Sequence, residues 1–280
     1  GLCPMDYGSK PADGGHLNMS LREKQDLNLS NDLMDLVRPY IGSAEFIDGK
    51  QRFCLWIDKD SFGRAQSVPA ILQRIEGVRK FRQKSTKGPT QDAAKTPYAF
   101  AEVRYGERAQ QIAPFIIPIH TSENREFLPV GVLPTGSVVS NAAFGLYDAP
   151  FWHMALIASR LHLVWIAAVC GKLETRYRYS NTLGWNTFPV PTLTEKNKAD
   201  LTTCAEEILL AREAHFPATI ADLYDPEKIP DNLRQAHDRN DEALERIYIG
   251  RRFKNDTERL EKLFEMYTKM TTKSGVRARV

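Results

Sequence analysis

An α+β fold, with a mixed α/β domain followed by a small helical domain, is predicted by three observations. Short β-prone runs bounded by Pro and Gly punctuate residues 41–147. One apolar stretch, FWHMALIASRLHLVWIAAV at 151–169, has the length of a buried helix. Beyond residue 192, charged segments carry apolar residues at helical spacing. The implied division is a connection and helix at 1–39, an α/β domain at 40–192 and a helical domain at 193–280.

The elements follow in order. Ser20 with Glu23 is a capping box, and Leu27, Leu33, Met34 and Val37 predict a helix that stops before Pro39. In IGSAEFIDGKQRFCLWI, Asp48-Gly49 between two strand-like runs predicts a hairpin. Val68, Ile71, Leu72, Ile75 and Val78 predict a helix across 62–82 with its basic side outward, after which STKGPTQDAAKTPYAF reads as a mobile loop. QQIAPFIIPIH and REFLPVGVLP are β-prone runs whose prolines suit edges or bulges, and 135–147 reads as another strand and turn. The helix of 151–169 ends with Gly171 in the position of a C-cap. Leu201, Ala205, Ile208 and Leu209 predict a helix ending near Pro217. Leu233 through Tyr248 predict a second, closed by Gly250, and Leu260 through Tyr267 a third, capped by Asn255 with Glu258.

At 280 residues, with 42% hydrophobic and 26% charged residues, the chain can bury a substantial core, and neither disorder nor a fibrous repeat is indicated. Cys3, Cys54, Cys170 and Cys204 form no C-x-x-C pair, which fits a reducing, cytoplasmic setting. The 151–169 stretch is long enough to cross a bilayer, but His153, Arg160 and His162 favour a buried helix, so no membrane partner is expected. Neither H-E-x-x-H nor G-x-S-x-G occurs. The acid pairs Asp58 with Asp60 and Asp241 with Glu242 lack a visible third ligand, so no metal and no catalytic residue is assigned.

The net charge of +3 matters less than its distribution. Residues 71–104 hold eight Lys/Arg against three Asp/Glu, a field suited to a polyanion. Arg79, Lys80, Arg82, Lys84 and Lys87 are its candidate phosphate contacts. A strand over 173–180 would put Leu173, Thr175, Tyr177 and Tyr179 on one face and Glu174, Arg176, Arg178 and Ser180 on the other. Arg bonds guanine O6 and N7 bidentately and Glu accepts from cytosine N4, so that second face holds the candidate base contacts. Tyr177, Tyr179, Trp185 and Phe188 are read as structural support, although the last two rings can equally stack on an unpaired base.

Three stretches in order, GSKPADGGHL at 8–17, RPYIGSAEFIDG with RFCLWI at 38–57, and RYRYSNTLGWNTFPVP at 176–191, carry a resemblance. The chain resembles the target recognition and C-terminal domains of the MmeI-like class I S-adenosylmethionine-dependent DNA adenine methyltransferases. The resemblance implies a domain that reads double-stranded DNA, with specificity residues just before the Tyr-Ser landmark, at Glu174, Arg176 and Arg178. It also implies a methyltransferase core in the same parent chain, ahead of 1–39, that uses S-adenosylmethionine and flips adenine. No (N/D)-P-P-(Y/F) tetrapeptide and no glycine-rich cofactor loop occurs here, so this portion is expected to be non-catalytic and to hold no cofactor of its own. The rival reading is a protein interaction or scaffold module, with self-association through the C-terminal helices.

Overall fold

The computed structural model describes residues 1–104 and 112–277, which leaves Gln110 and Gln111 of the first β-prone run outside the described residues. The chain divides into two compact units. A sheet unit comprises Asp6–Ile116 and Val132–Tyr147, and a hairpin-helix unit comprises Gly1–Met5, Ile117–Gly131 and Asp148–Val280.

The sheet unit begins with β1 (Asp6–Tyr7), β2 (Asn18–Met19) and α1 (Leu21–Asp26). The Ser20–Glu23 capping box forms, yet α1 ends at Asp26 rather than running toward Pro39. Leu33 and Leu36, three apart, are buried from a 3-10 turn, and Val37 and Pro39 belong to β3 (Val37–Ile41). β3 pairs antiparallel with β4 (Phe53–Leu55), as a hairpin requires. Between them, however, stands α2 (Ser43–Asp48) rather than a tight turn. The Glu45 carboxylate accepts the Gly42 N–H and so closes the start of this helix. Gly49, at φ +67, closes its end, a conformation that Asp-Gly supplies to a helix terminus as readily as to a hairpin.

The helix expected across 62–82 is divided into α3 (Lys59–Ala65) and α4 (Pro69–Gln83), because Pro69 has no N–H to continue α3 but suits a first helical turn. Ile71, Ile75 and Val78 fill the core formed with Leu17, Leu36, Leu55 and Trp56. The segment read as a mobile loop holds α5 (Gly88–Asp92) and a 3-10 turn at Ala93–Lys95. After β5 (Phe115–Pro118) the chain leaves through β6 (His120–Ser122), returns through β7 (Gly131–Val132), and adds β8 (Val138–Val139) and β9 (Ala143–Leu146). The strand orders are β2-β4-β3-β8 and β1-β9-β5-β7.

In the hairpin-helix unit the apolar stretch is two helices, α6 (Trp152–Ile157) and α7 (Arg160–Val169). Ser159 separates them, its Oγ accepting from the His162 N–H, so a cap interrupts what apolarity alone reads as continuous. Among the described residues no helix is long and apolar enough to cross a membrane. Cys170, not Gly171, is the C-cap of α7, and it is extended because the chain turns directly into β10 (Lys172–Leu173) and β11 (Arg176–Arg178).

α8 (Glu195–Glu213), α9 (Ile220–Leu223), α10 (Asp231–Ile249) and α11 (Asp256–Arg277) follow, with Gly250 at φ +77 closing α10 and Asn255 capping α11 through the Glu258 N–H. Polar ties fasten these helices. Buried Glu245 of α10 receives Arg259 of α11 at 2.6 Å, and Arg160 of α7 reaches Asp256 at 2.5 Å. Arg212 of α8 donates to the Val130 carbonyl at 2.6 Å and to the Tyr224 hydroxyl, which also contacts His237 Nε2 at 2.7 Å.

Candidate nucleic-acid interface

β10, β11 and β6 form a three-stranded antiparallel sheet within the hairpin-helix unit. Arg176 lies opposite both Leu173 and Ser122, Tyr177 opposite Lys172 and Thr121, and Arg178 opposite His120. Directly opposed residues share a face, and successive residues alternate. Arg176 and Arg178 therefore stand on one face with Ser122 and His120, spaced about 7 Å apart along the strand. Both arginines are exposed, and Arg178 enters no ion pair among the described residues. The opposite face carries Lys172, Tyr177 and buried Thr121.

The expected strand over 173–180 is therefore corrected to a two-residue hairpin, and only Arg176 and Arg178 keep the predicted row. Glu174 is the first turn residue, at φ +55, and its carboxylate reaches Arg176 Nη2 at 3.0 Å. A left-handed backbone favours Gly and costs another residue about 1–2 kcal/mol, so an exposed Glu in that position is a local strain with no compensating packing. The ion pair is open to solvent on both sides and contributes at most about 1 kcal/mol, so its members can exchange partners readily. Ser180 lies beyond the strand. Its Oγ accepts the Leu183 N–H at 3.2 Å and sits 3.0 Å from Thr182 Oγ1, and with its hydroxyl engaged in capping the π-helical turn Asn181–Trp185 it leaves the row.

The supporting rings sort unequally. Tyr179 is buried, donates its N–H to the Ile119 carbonyl at 2.7 Å, and places its hydroxyl 2.9 Å from His162 Nε2. Trp185 is buried and donates to the Cys3 carbonyl at 2.7 Å, while Phe188 meets His162 edge-on at 4.6 Å, so both rings are packing anchors and neither offers a free stacking face. Tyr177 is half-buried beneath Lys172, whose Nζ lies 5.1 Å from its ring.

His120 was not singled out as a base contact in the sequence, because its neighbour in space is 58 residues away in the chain, and only the β11–β6 register joins them. Burial, then the charges of Arg176 and Arg178, lower its pKa, so the ring is neutral and offers one donor and one acceptor. Its Nδ1 is buried and has no hydrogen-bond partner among the described residues, which leaves Nε2 as the nitrogen that can face outward.

The basic segment lies in the sheet unit. Arg79, Lys80, Lys84 and Lys87 are exposed along α4 and its exit, with Arg79 paired to Glu76 at 3.2 Å and the three lysines in no ion pair among the described residues. Arg82 is the correction: it is wholly buried, and its five N–H groups go to the carbonyls of Ala12, Ala93, Thr96, Pro11 and Ala99 at 2.7–3.0 Å. It has no donor left for phosphate. It is the tie that orders the segment expected to be a loop, and position on a basic helix did not reveal that it lies on the inner side, four residues after Val78.

Neither of two strand-to-helix turns of the sheet unit, β3 into α2 and β4 into α3, offers the open helix start that a cofactor carboxylate would take. The turns from β3 into α2 and from β4 into α3 are each closed by their own acid, Glu45 and Asp58, where a bound carboxylate would need free N–H groups.

Residues 1–192 match the family described as MmeI, target recognition domain, and residues 193–274 that described as MmeI, C-terminal domain. The chain is 36% identical over 271 residues to DNA methyltransferase A of Bacillus subtilis (strain 168), covering 96% of this chain and 30% of that protein. It aligns at a TM-score of 0.89 and 34% identity with the type IIL restriction-modification enzyme MmeI solved in complex with DNA, over 97% of this chain and 36% of that one. It thus spans about a third of the length of these relatives. With both family models matched in succession and the fold shared, the chain belongs to the MmeI family, as its target recognition domain followed by its C-terminal domain.

Proposed function

We propose that this chain is the sequence-reading portion of a DNA adenine-N6 methyltransferase, and that the exposed face of β11 and β6 reads bases in duplex DNA. The observation that carries the proposal is the adjacency of Arg176 and Arg178 on one strand, beside neutral His120, with Glu174 held at a strained turn next to them. Arginine supplies a bidentate match to guanine, and a carboxylate next to it accepts from cytosine, so the two side chains can divide the work at one base pair. Arg79, Lys80, Lys84 and Lys87 supply phosphate contacts, which position without reading sequence.

Methyl transfer belongs to the part of the parent polypeptide outside this chain, where S-adenosylmethionine would bind. The relatives support this by name and by length: one is a DNA methyltransferase, another a restriction-modification enzyme, and each is about three times as long as the matched region. The C-terminal helices suit a scaffold role, because Arg234, Arg239, Arg251, Arg252 and Arg259 each pair with an acid of the same unit and so tie its elements together.

The experiment is competition binding by the intact polypeptide between a library-selected duplex and its scrambled version over a salt series. Recognition predicts affinity that falls steeply with salt for both, with a retained preference of at least about a thousandfold for the selected duplex. Salt-insensitive binding without preference would instead favour a scaffold.

A further inference from the structure

On the face of the hairpin turned away from Arg176 and Arg178, one acid grips both arms. The Glu123 N–H donates to the Thr175 carbonyl at 3.0 Å, at the entry to β11, while its Oε2 accepts from Lys172 Nζ on β10 at 2.6 Å. The same Nζ lies over the ring of Tyr177, whose opposite neighbour Thr121 is buried in β6. A cation, an aromatic face and a carboxylate thus run across all three strands.

We propose that Lys172 and Glu123 are positioning residues that fix the twist of the hairpin, and with it the direction in which Glu174 and Arg176 are presented. The proposal rests on the base-reading role given above to those two residues. β10 contributes only two residues, too few for its own ladder to set its angle, and narrow ribbons vary most in twist. Just before β10, the Gly171 carbonyl accepts the Arg178 N–H at 2.8 Å, at the end remote from the turn. Near the turn, the only side-chain tie from β10 to β6's exit is Lys172 to Glu123 among the described residues. Because that pair is half exposed it adds little to global stability, so its effect is on geometry. Lys172 is not given a phosphate contact, because it stands on the face away from the arginines, opposite Tyr177.

The test uses the intact polypeptide and a duplex library with a randomised central block. Wild type and Arg176→Ala first identify the base pair that Arg176 reads. Lys172→Met and Glu123→Ala are each expected to lower the preference at that base pair by about threefold to fivefold, the most that a half-exposed ion pair can impose, while binding to the unselected library stays within about twofold. The exchanged pair, Lys172→Glu with Glu123→Lys, is expected to recover most of the preference. Should Lys172→Met lose the fold, Glu123→Ala, which keeps the backbone bond to Thr175, carries the comparison. Single variants that keep full preference, or that weaken every sequence equally, or an exchanged pair no better than the singles, would overturn the positioning role. A wild type with no preference, or an unchanged Arg176→Ala, would instead overturn the base-reading role beneath it.

Discussion

Arg178 stands directly across the strand pair from His120, and its positive charge, with that of Arg176, helps burial keep the imidazole neutral. A neutral ring beside these guanidinium groups, with Nδ1 buried, adds the polar Nε2 to the face without adding to its repulsion. His120→Ala is expected to leave the melting temperature nearly unchanged and to relax the preference at the base pair read by Arg178. Binding of selected duplexes, compared position by position with wild type, checks this.

Glu174 occupies a backbone conformation that Gly adopts freely. Glu174→Gly is expected to raise stability by up to about 1 kcal/mol, the strain relieved less the extra chain entropy of Gly, while lowering preference at one base pair. Glu174→Val should lose both. Thermal denaturation alongside duplex competition separates the two effects, and a Gly variant that is less stable than wild type would remove the strain argument.

Arg82 and Lys84, two residues apart, should behave in opposite ways. Arg82→Met takes a donor from five carbonyls, of which Pro11, Ala93 and Thr96 keep a backbone N–H, and is expected to destabilise the sheet unit by about 3 kcal/mol, read by chemical denaturation. Lys84→Ala should leave stability within about 0.5 kcal/mol and lower the slope of log affinity against log salt by about 0.9, one phosphate contact.

The hairpin-helix unit should be acid-sensitive. Burial lowers the pKa of His153 to about 4 and that of His162 to about 3, and holds that of His237 well below its ordinary value, so each takes up a proton more readily in the unfolded chain. Stability from these three is therefore complete above pH 6.5, their ordinary value, and is lost as pH falls toward their folded values. Asp241 works in the other direction: burial raises its pKa to about 7, so over pH 3.8–7 the folded state holds the extra proton. Three histidines against one aspartate leave a net uptake of about two protons on unfolding between pH 6.5 and 4. Denaturation midpoints measured across that window should fall with acid, and His162→Phe should flatten the dependence.

Legibility in the sequence followed the range of the signal. Capping boxes and cap residues are local, and Ser20–Glu23, Asn255–Glu258 and Gly250 stand as read. Alternation also found Arg176 and Arg178, because β11 is a true strand, but it ran through Glu174, where nothing in composition marks a turn that Gly would normally occupy. Asp48-Gly49 was ambiguous by nature, since a left-handed Gly ends a helix as well as it turns a hairpin. Arg82 and His120 lay beyond reach: the first is defined by carbonyls 11 to 71 residues away, the second by a register between strands far apart in the chain.

The base-reading face is tested most directly by Arg176→Ala in a competition between the selected duplex and scrambled DNA. A loss of about 1–3 kcal/mol is expected on the selected duplex, confined to one relaxed base position, with scrambled DNA bound almost as before. Equal weakening on both duplexes would make Arg176 a phosphate contact and contradict the account.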